Sequence, residues 1–174
     1  MADLRVLVAH GTKNGSTAEI AEMIGTTLRE HGIVADVRPA GDVRDVTEYD
    51  AVVLGGALYT NRWHRDAVRF SRRHRGKLAD RPVWMFSSGP LDASAAQRRI
   101  PPTASARRAM GRLGARDHAT FGGRLEDGAK GLIARQILKS GRGGDFRDRG
   151  QIRSWADGIA TDLAAQPPYT SHAA

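Results

Sequence analysis

Residues 6–24 read VLVAHGTKNGSTAEIAEMI, and the change of pattern inside this stretch decides the fold. Val6, Leu7, Val8 and Ala9 form a continuous apolar run, the pattern of a strand covered on both faces of a parallel sheet. A hydroxyl-rich loop, Thr12-Lys13-Asn14-Gly15-Ser16-Thr17, follows directly. Ile20, Ile24 and Leu28 then recur every four residues, which lays one face of a helix on the sheet, and Ser16 and Glu19 have the spacing of a capping box at its start. The first turn of such a helix carries N–H groups with no intrahelical acceptor, and the macrodipole adds positive potential. With the hydroxyls of Thr12, Ser16 and Thr17, the turn is suited to a phosphate dianion.

Outward from this stretch, strands and helices alternate. His31-Gly32 ends the first helix and Val34 to Arg38 predicts a short strand. Asp50 to Leu58 contains the apolar run Ala51-Val52-Val53-Leu54, a central strand that Gly55-Gly56 lets the chain leave tightly. Trp63 to Arg75 reads as a helix with Trp63, Ala67, Phe70 and His74 on one side. Pro82 to Ser87 is the fourth strand, Thr103 to Leu113 a helix capped by Thr103, and Ala119 to Leu125 the fifth strand. Leu132, Ile133, Ile137 and Leu138 give a further helix an apolar face opposed by Lys130, Arg135 and Lys139, and Ser140 to Gly144 is a turn. The last helix carries Ile152, Trp155, Ile159 and Leu163 on one face, with Asp148 and Gln151 at capping spacing. This alternation predicts one α/β domain over 1–166, a five-stranded parallel sheet in the flavodoxin-like order 2-1-3-4-5 with helices on both faces, and a tail over 167–174. The ligand crevice of such a sheet lies at the carboxyl ends of its first and third strands.

Composition narrows the function. The 174 residues are 40% hydrophobic, ordinary for a globular domain. No apolar run approaches the roughly 20 residues of a membrane span, and the N-terminus lacks signal-peptide regions, so a cytoplasmic protein is expected. The absence of cysteine excludes disulfides, thiolate metal sites, iron–sulfur clusters and a cysteine nucleophile. The six histidines are scattered without metal-ligand spacing, and no metal site is expected. Redox chemistry would therefore need a bound organic cofactor. The net charge of +8 is concentrated in residues 62–149, which hold 21 basic and eight acidic side chains. Such a region attracts acidic molecules or an anionic membrane surface. Nucleic acid is disfavoured because the basic residues lack interleaved aromatics.

The loop at residues 11–17 is neither a Walker A sequence nor a dinucleotide fingerprint, since Lys13 precedes Gly15 and no G-x-G-x-x-G occurs. It resembles instead the phosphate loop of flavodoxins, and the resemblance implies that Thr12, Lys13, Asn14, Gly15, Ser16 and Thr17 hold the phosphate of FMN. Two further segments leave strand ends. Ala57-Leu58-Tyr59-Thr60, followed by Trp63 and His64, offers backbone and aromatic surface for a planar ring, with Tyr59 the better stacking residue. Ser87-Ser88-Gly89-Pro90 stands where flavodoxins place their second ring-contacting loop. His64 is a candidate for proton exchange.

The order of HGTKNGST, GGALYTNRWH, the SSGP loop, Gly122-Gly123-Arg124-Leu125, a basic helix, SGRGGDFRD and a Trp-containing last helix is similar to the menaquinone-dependent protoporphyrinogen oxidase branch of flavodoxin-domain proteins. That resemblance runs to about Ala165. It implies an FMN oxidoreductase that takes electrons from a porphyrinogen and passes them to a quinone. Gly11 departs from the hydroxyl residue often found at the loop start, and Asp92 to Leu113 has no clear match. Alternatives are a flavodoxin-type electron carrier with a redox partner protein, and a related protein using a deazaflavin. The basic helix at 132–139 is an expected point of peripheral contact with the cytoplasmic membrane face. Arg62 and Arg65 flank the ring segment where carriers tend to be acidic.

Overall fold

Strand β1 (Arg5–Gly11) is buried from Val6 onward, as an apolar run covered on both faces requires. The computed structural model describes residues 3–12, 15–89, 99–125, 144–145 and 147–166. Helix α1 (Ser16–Glu30) follows, and Gly32 at φ 77° closes it, with Gly32 N–H donating to Arg29 and Ile33 N–H to Leu28. Then come β2 (Val34–Pro39), a 3-10 turn at Ala40–Asp42, β3 (Ala51–Tyr59), β4 (Arg62–Trp63), α2 (Arg65–Arg73), β5 (Val83–Ser88), α3 (Ala104–Leu113), β6 (Asp117–Phe121), β7 (Arg124–Leu125), β8 (Gly144–Asp145) and α4 (Arg149–Ala164).

The main sheet runs β2-β1-β3-β5-β6, all parallel, which is the expected order 2-1-3-4-5 once the parallel strands alone are counted. A sixth strand, β4, pairs antiparallel with β3, and β7 pairs with β8 in a separate two-stranded sheet. Successive residues of β1 and β3 point to opposite faces. Val6, Val8 and Val53 meet Ile20, Ile24 and Leu28 of α1 and Ile152 and Ile159 of α4. Leu7, Ala9, Val52 and Leu54 meet Ala67 and Phe70 of α2 and Ala106 and Ala109 of α3.

Three features differ from the sequence reading. The helix expected from Trp63 begins at Arg65, because Thr60 and Asn61 both take positive φ, 48° and 59°, and turn the chain back as a two-residue hairpin. Trp63 is consequently on β4, with its indole filling the space over Gly56. The capping box of Ser16 and Glu19 does not form: Gly15, left-handed at φ 86°, is the N-cap and Ser16 is the first helical residue. The fifth strand lies at Asp117–Phe121 rather than Ala119 to Leu125, and Gly122-Gly123 separates it from β7. By contrast Thr103 and Asp148 cap α3 and α4, their side chains accepting from the N–H groups of Ala106 and Gln151. The expected basic helix with Lys130, Arg135 and Lys139, the Ser140 to Gly143 part of the turn, and the tail from Pro167 lie outside the described residues.

Gly55 allows β3 to approach β5, since a Cβ there would lie 2.0 Å from Phe86 Cζ. Phe86 is held by Phe121 and Trp155, with ring centroids 5.9 and 6.2 Å away. Overpacking at this point forces a fully buried ring to move. Gly55→Ala is expected to lower stability by about 1–3 kcal/mol, read as a lower urea midpoint at constant slope. An unchanged midpoint would mean that the ring yields without cost.

Candidate functional site

The carboxyl ends of β1, β3 and β5 lie side by side, with Gly11 registered on Gly56 and Gly56 on Ser87. Three loops leave from them and touch pairwise. Thr17 Oγ1 and Ser88 Oγ are 2.7 Å apart in a buried hydrogen bond, joining the first loop to the third. A Cβ on Gly89 would lie 2.6 Å from Leu58 Cβ, so the third loop rests directly on the second. A Cβ on Gly11 would lie 2.8 Å from His64 Nδ1, so the second loop closes against the first. The N–H of Gly89 also donates to the carbonyl of Phe121 at 3.1 Å, tying this edge to β6.

Within the first loop, Thr12 Oγ1 accepts from the N–H of Gly15 at 2.9 Å. Gly15 has open space where a Cβ would stand, and the N-terminus of α1 begins at the next residue. Lys13 and Asn14 lie outside the described residues. Ser16 is nearly buried and Thr17 fully so. The Thr17 hydroxyl is thus spent on Ser88, and it shapes the loop rather than facing solvent. In β3 the side chains are buried through Gly56, then half-buried at Ala57, Leu58 and Tyr59, as the strand runs past the sheet edge. Thr60 is exposed at the hairpin tip. This is a cradle with polar donors at one end and a partly apolar wall at the other. Its donor set and open Gly15 backbone fit a phosphorylated planar cofactor.

Trp63 is buried, so Tyr59 is the aromatic of this segment left at the surface of the cradle. His64 caps α2, its Nδ1 accepting the N–H of Asp66 at 3.2 Å, which gives the imidazole a structural task. Ser87 points to the opposite face from Ser88 and its Oγ lies 2.8 Å from His118 Nε2. Pro90 lies outside the described residues. Among the described residues no group of three His, Asp or Glu side chains is arranged to hold a metal ion. Among them, too, no helix is long and apolar enough to cross a membrane.

Arg147 is a residue that the sequence did not single out. Its side chain, 2% exposed, donates to both oxygens of Asp145 at 2.8 and 2.7 Å and to Glu19 in the first turn of α1. The Asp145 carboxylate, and then Glu19, hold the guanidinium's pKa above its ordinary value. The clamp fastens the start of the loop–helix segment before α4 to the end of α1 that adjoins the first loop. No local pattern could reveal it, because Glu19 and Arg147 are far apart in the chain.

The described residues also hold buried neutral bases. Burial lowers the pKa of His10 and His74, and brings that of His118 down to about 4 from 6.5. Among the described residues His118 Nδ1 finds no hydrogen-bond partner.

Comparison with known proteins matches residues 7–141 to the model of the Flavodoxin domain family. A protoporphyrinogen IX dehydrogenase [quinone] from Escherichia coli (strain K12) is 30% identical over 104 residues, 59% of this chain and 57% of that protein. The match therefore spans little more than half the length of this relative. Among solved structures, a point mutant of flavodoxin from Pseudomonas aeruginosa superposes with a TM-score of 0.63 at 14% identity, over 93% of this chain and 100% of that one. A flavodoxin from the domain Archaea gives 0.63 at 13% identity, over 92% and 99%. At these identities the superpositions speak for the fold.

The buried His118 sets a pH dependence. Below pH 6.5 the unfolded chain takes up a proton that the folded chain refuses until about pH 4, so stability rises with pH across that window and is lost on acidification. The full shift corresponds to about 3 kcal/mol at most. Urea midpoints at about pH 7 and about pH 4.5 measure it, and His118→Gln is expected to reduce the difference between them. Equal acid losses in variant and parent would assign the effect to other groups.

Proposed function

Because the chain belongs to the Flavodoxin domain family, we propose that it is an FMN-binding oxidoreductase acting on a reduced organic acid of the porphyrinogen type, with a quinone as electron acceptor. The observation that carries this reading is the pairwise fastening of three loops at the carboxyl ends of β1, β3 and β5, through Thr17–Ser88, Gly89–Leu58 and Gly11–His64. Loop ends already fastened to one another lower the ordering cost of binding a rigid cofactor. Bound FMN supplies the electron-transfer chemistry.

The chain's own residues have three tasks. Thr12, Gly15, Ser16 and the first-turn N–H groups of α1 take the phosphate end. Thr17 acts through Ser88, holding the first and third loops at one spacing. Ala57, Leu58, Tyr59 and Thr60 on one side, and Ser88 and Gly89 on the other, bound the ring end, where half-buried apolar surface excludes water. The substrate class rests on two supports: the activity for which the Escherichia coli relative is named, and the arginine-rich flank of the hairpin, with Arg62 and Arg65 beside the ring segment. One fixed charge about 8 Å from a group that gains an electron stabilises it by on the order of 2 kcal/mol at an effective dielectric near 20, before screening by salt.

Anaerobic mixing tests the proposal. The FMN-loaded protein is expected to lose its flavin absorbance on addition of protoporphyrinogen and to regain it with a menaquinone analogue. Bleaching by a reductase protein alone, at every porphyrinogen concentration tried, would replace this reading with that of an electron carrier. Thr12→Ala strips the acceptor from the Gly15 N–H and is expected to weaken FMN binding by about 1–3 kcal/mol. An unchanged FMN titration would remove the first loop from the phosphate role.

A further inference from the structure

Between α2, α3 and the β3–β4 hairpin lies a cleft of about 570 Å³ whose rim carries Arg62, Arg65, Arg69, Arg72 and Arg108. Arg65, Arg69 and Arg72 stand at i, i+4 and i+7 on one stripe of α2, spanning about 10 Å of helix. Arg62 comes from the hairpin and Arg108 from α3 on the far wall. Asp66 lies 3.8 Å from Arg65 and also faces His64. Among the described residues, Arg62, Arg69, Arg72 and Arg108 pair with no carboxylate. Guanidiniums gathered in this way repel one another, and nothing in the fold requires them there: the packing of α2 and α3 is made by Ala67, Phe70, Ala106 and Ala109.

The walls of the cleft are fixed. Ser105 Oγ accepts the N–H of Trp63 at 2.9 Å, which fastens the start of α3 to the hairpin, and Arg112 Nη1 donates to Ser71 Oγ at 3.3 Å across α2 and α3. Trp63 and Val68 line the floor. We infer that this cleft is the subsite for the carboxylate groups of a small organic polyanion, whose neutral body extends over the hairpin toward Tyr59. The inference rests on the reading of the substrate given above, and adds where its acidic arms are held. Arg pairs bidentately with carboxylates, and a stripe of three with one opposite suits two or more acid groups on one ligand. An open but concave site walled by two helices and a hairpin favours a small molecule over a flat anionic membrane surface.

Coproporphyrin, a fluorescent porphyrin with four carboxylates, isolates binding from electron transfer because it is already oxidised. It is titrated into the full chain, with and without FMN, alongside its neutral tetramethyl ester. The tetracarboxylate is expected to bind, more weakly with added salt, and the ester is expected not to bind. The double variant Arg69→Gln, Arg72→Gln should lose about tenfold or more in coproporphyrin affinity, with FMN titration and circular dichroism unchanged. Arg44→Gln, Arg75→Gln removes the same net charge away from the cleft and should bind like the parent. Equal loss in both double variants, no loss in either, or no binding by the parent would overturn the inference, as would an effect of the cleft variant seen only with anionic vesicles. The two readings fail separately. Coproporphyrin bound in the cleft while porphyrinogen leaves the flavin oxidised would sink the oxidoreductase reading alone. Porphyrinogen oxidation with an unchanged KM in the cleft variant would sink the subsite alone.

Discussion

Parallel pairing of strands buried on both faces is the constraint from which the rest of this structure follows. Parallel strands cannot be joined by tight turns, so the connections from β1 to β2, β3 to β5 and β5 to β6 cross a face as helices, while β2 reaches β3 through the 3-10 turn at Ala40–Asp42. Here α1 and α4 cover one face and α2 and α3 the other, and the alternation of side chains along β1 and β3 feeds both layers. The same constraint sends β1, β3 and β5 out at one edge. Their loops have no choice but to meet there, and glycines at 11, 56 and 89 let them meet closely.

What happens at that edge is set by polar groups in a low-dielectric setting. The Thr17–Ser88 hydrogen bond is buried, and loss of either partner leaves a hydroxyl without compensation, a cost of about 1–3 kcal/mol. The Arg147 clamp works on the same principle with charge, bringing two carboxylates to a guanidinium that is almost wholly removed from solvent. The two devices hold the first loop from opposite directions, one from β5 and one from the segment before α4. Positive charge then accumulates outside the cradle, along α2 and α3, where the helices pack through alanines and leave their arginines facing a common cleft.

Much of the fold was readable because its signals are local. Ile20, Ile24 and Leu28 are all fully buried on one face of α1, and Ile152, Ile159 and Leu163 do the same for α4. Asp148 and Thr103 cap the helices their spacing announces. The failures are equally instructive. Trp63 has helical spacing to Ala67 and Phe70, and all three are buried on one side. Spacing could not tell that Trp63 arrives there from a strand, because the hairpin depends on positive φ at Thr60 and Asn61, residues that carry no glycine signal. Ser16 and Glu19 have capping-box spacing, yet Gly15 takes the cap and Glu19 turns to Arg147, a partner 128 residues away.

The sequence by itself determined the alternation of strands and helices, the parallel order of the sheet, and the position of three loops at one edge. These follow from the apolar periodicity of each segment and from the restricted handedness of crossovers, both properties of short stretches of chain. Only the tertiary structure decided which hydroxyl faces the cradle and which is spent inside the protein. Thr12, Ser16 and Thr17 are equivalent as letters, but Thr17 is sealed against Ser88 while Thr12 shapes the Gly15 turn. The arginine cleft has the same origin. Arg65, Arg69 and Arg72 form a stripe on any helical wheel, whereas their meeting with Arg62 and Arg108 required the hairpin and α3 to dock beside them, and docking is fixed by packing between elements distant in the chain.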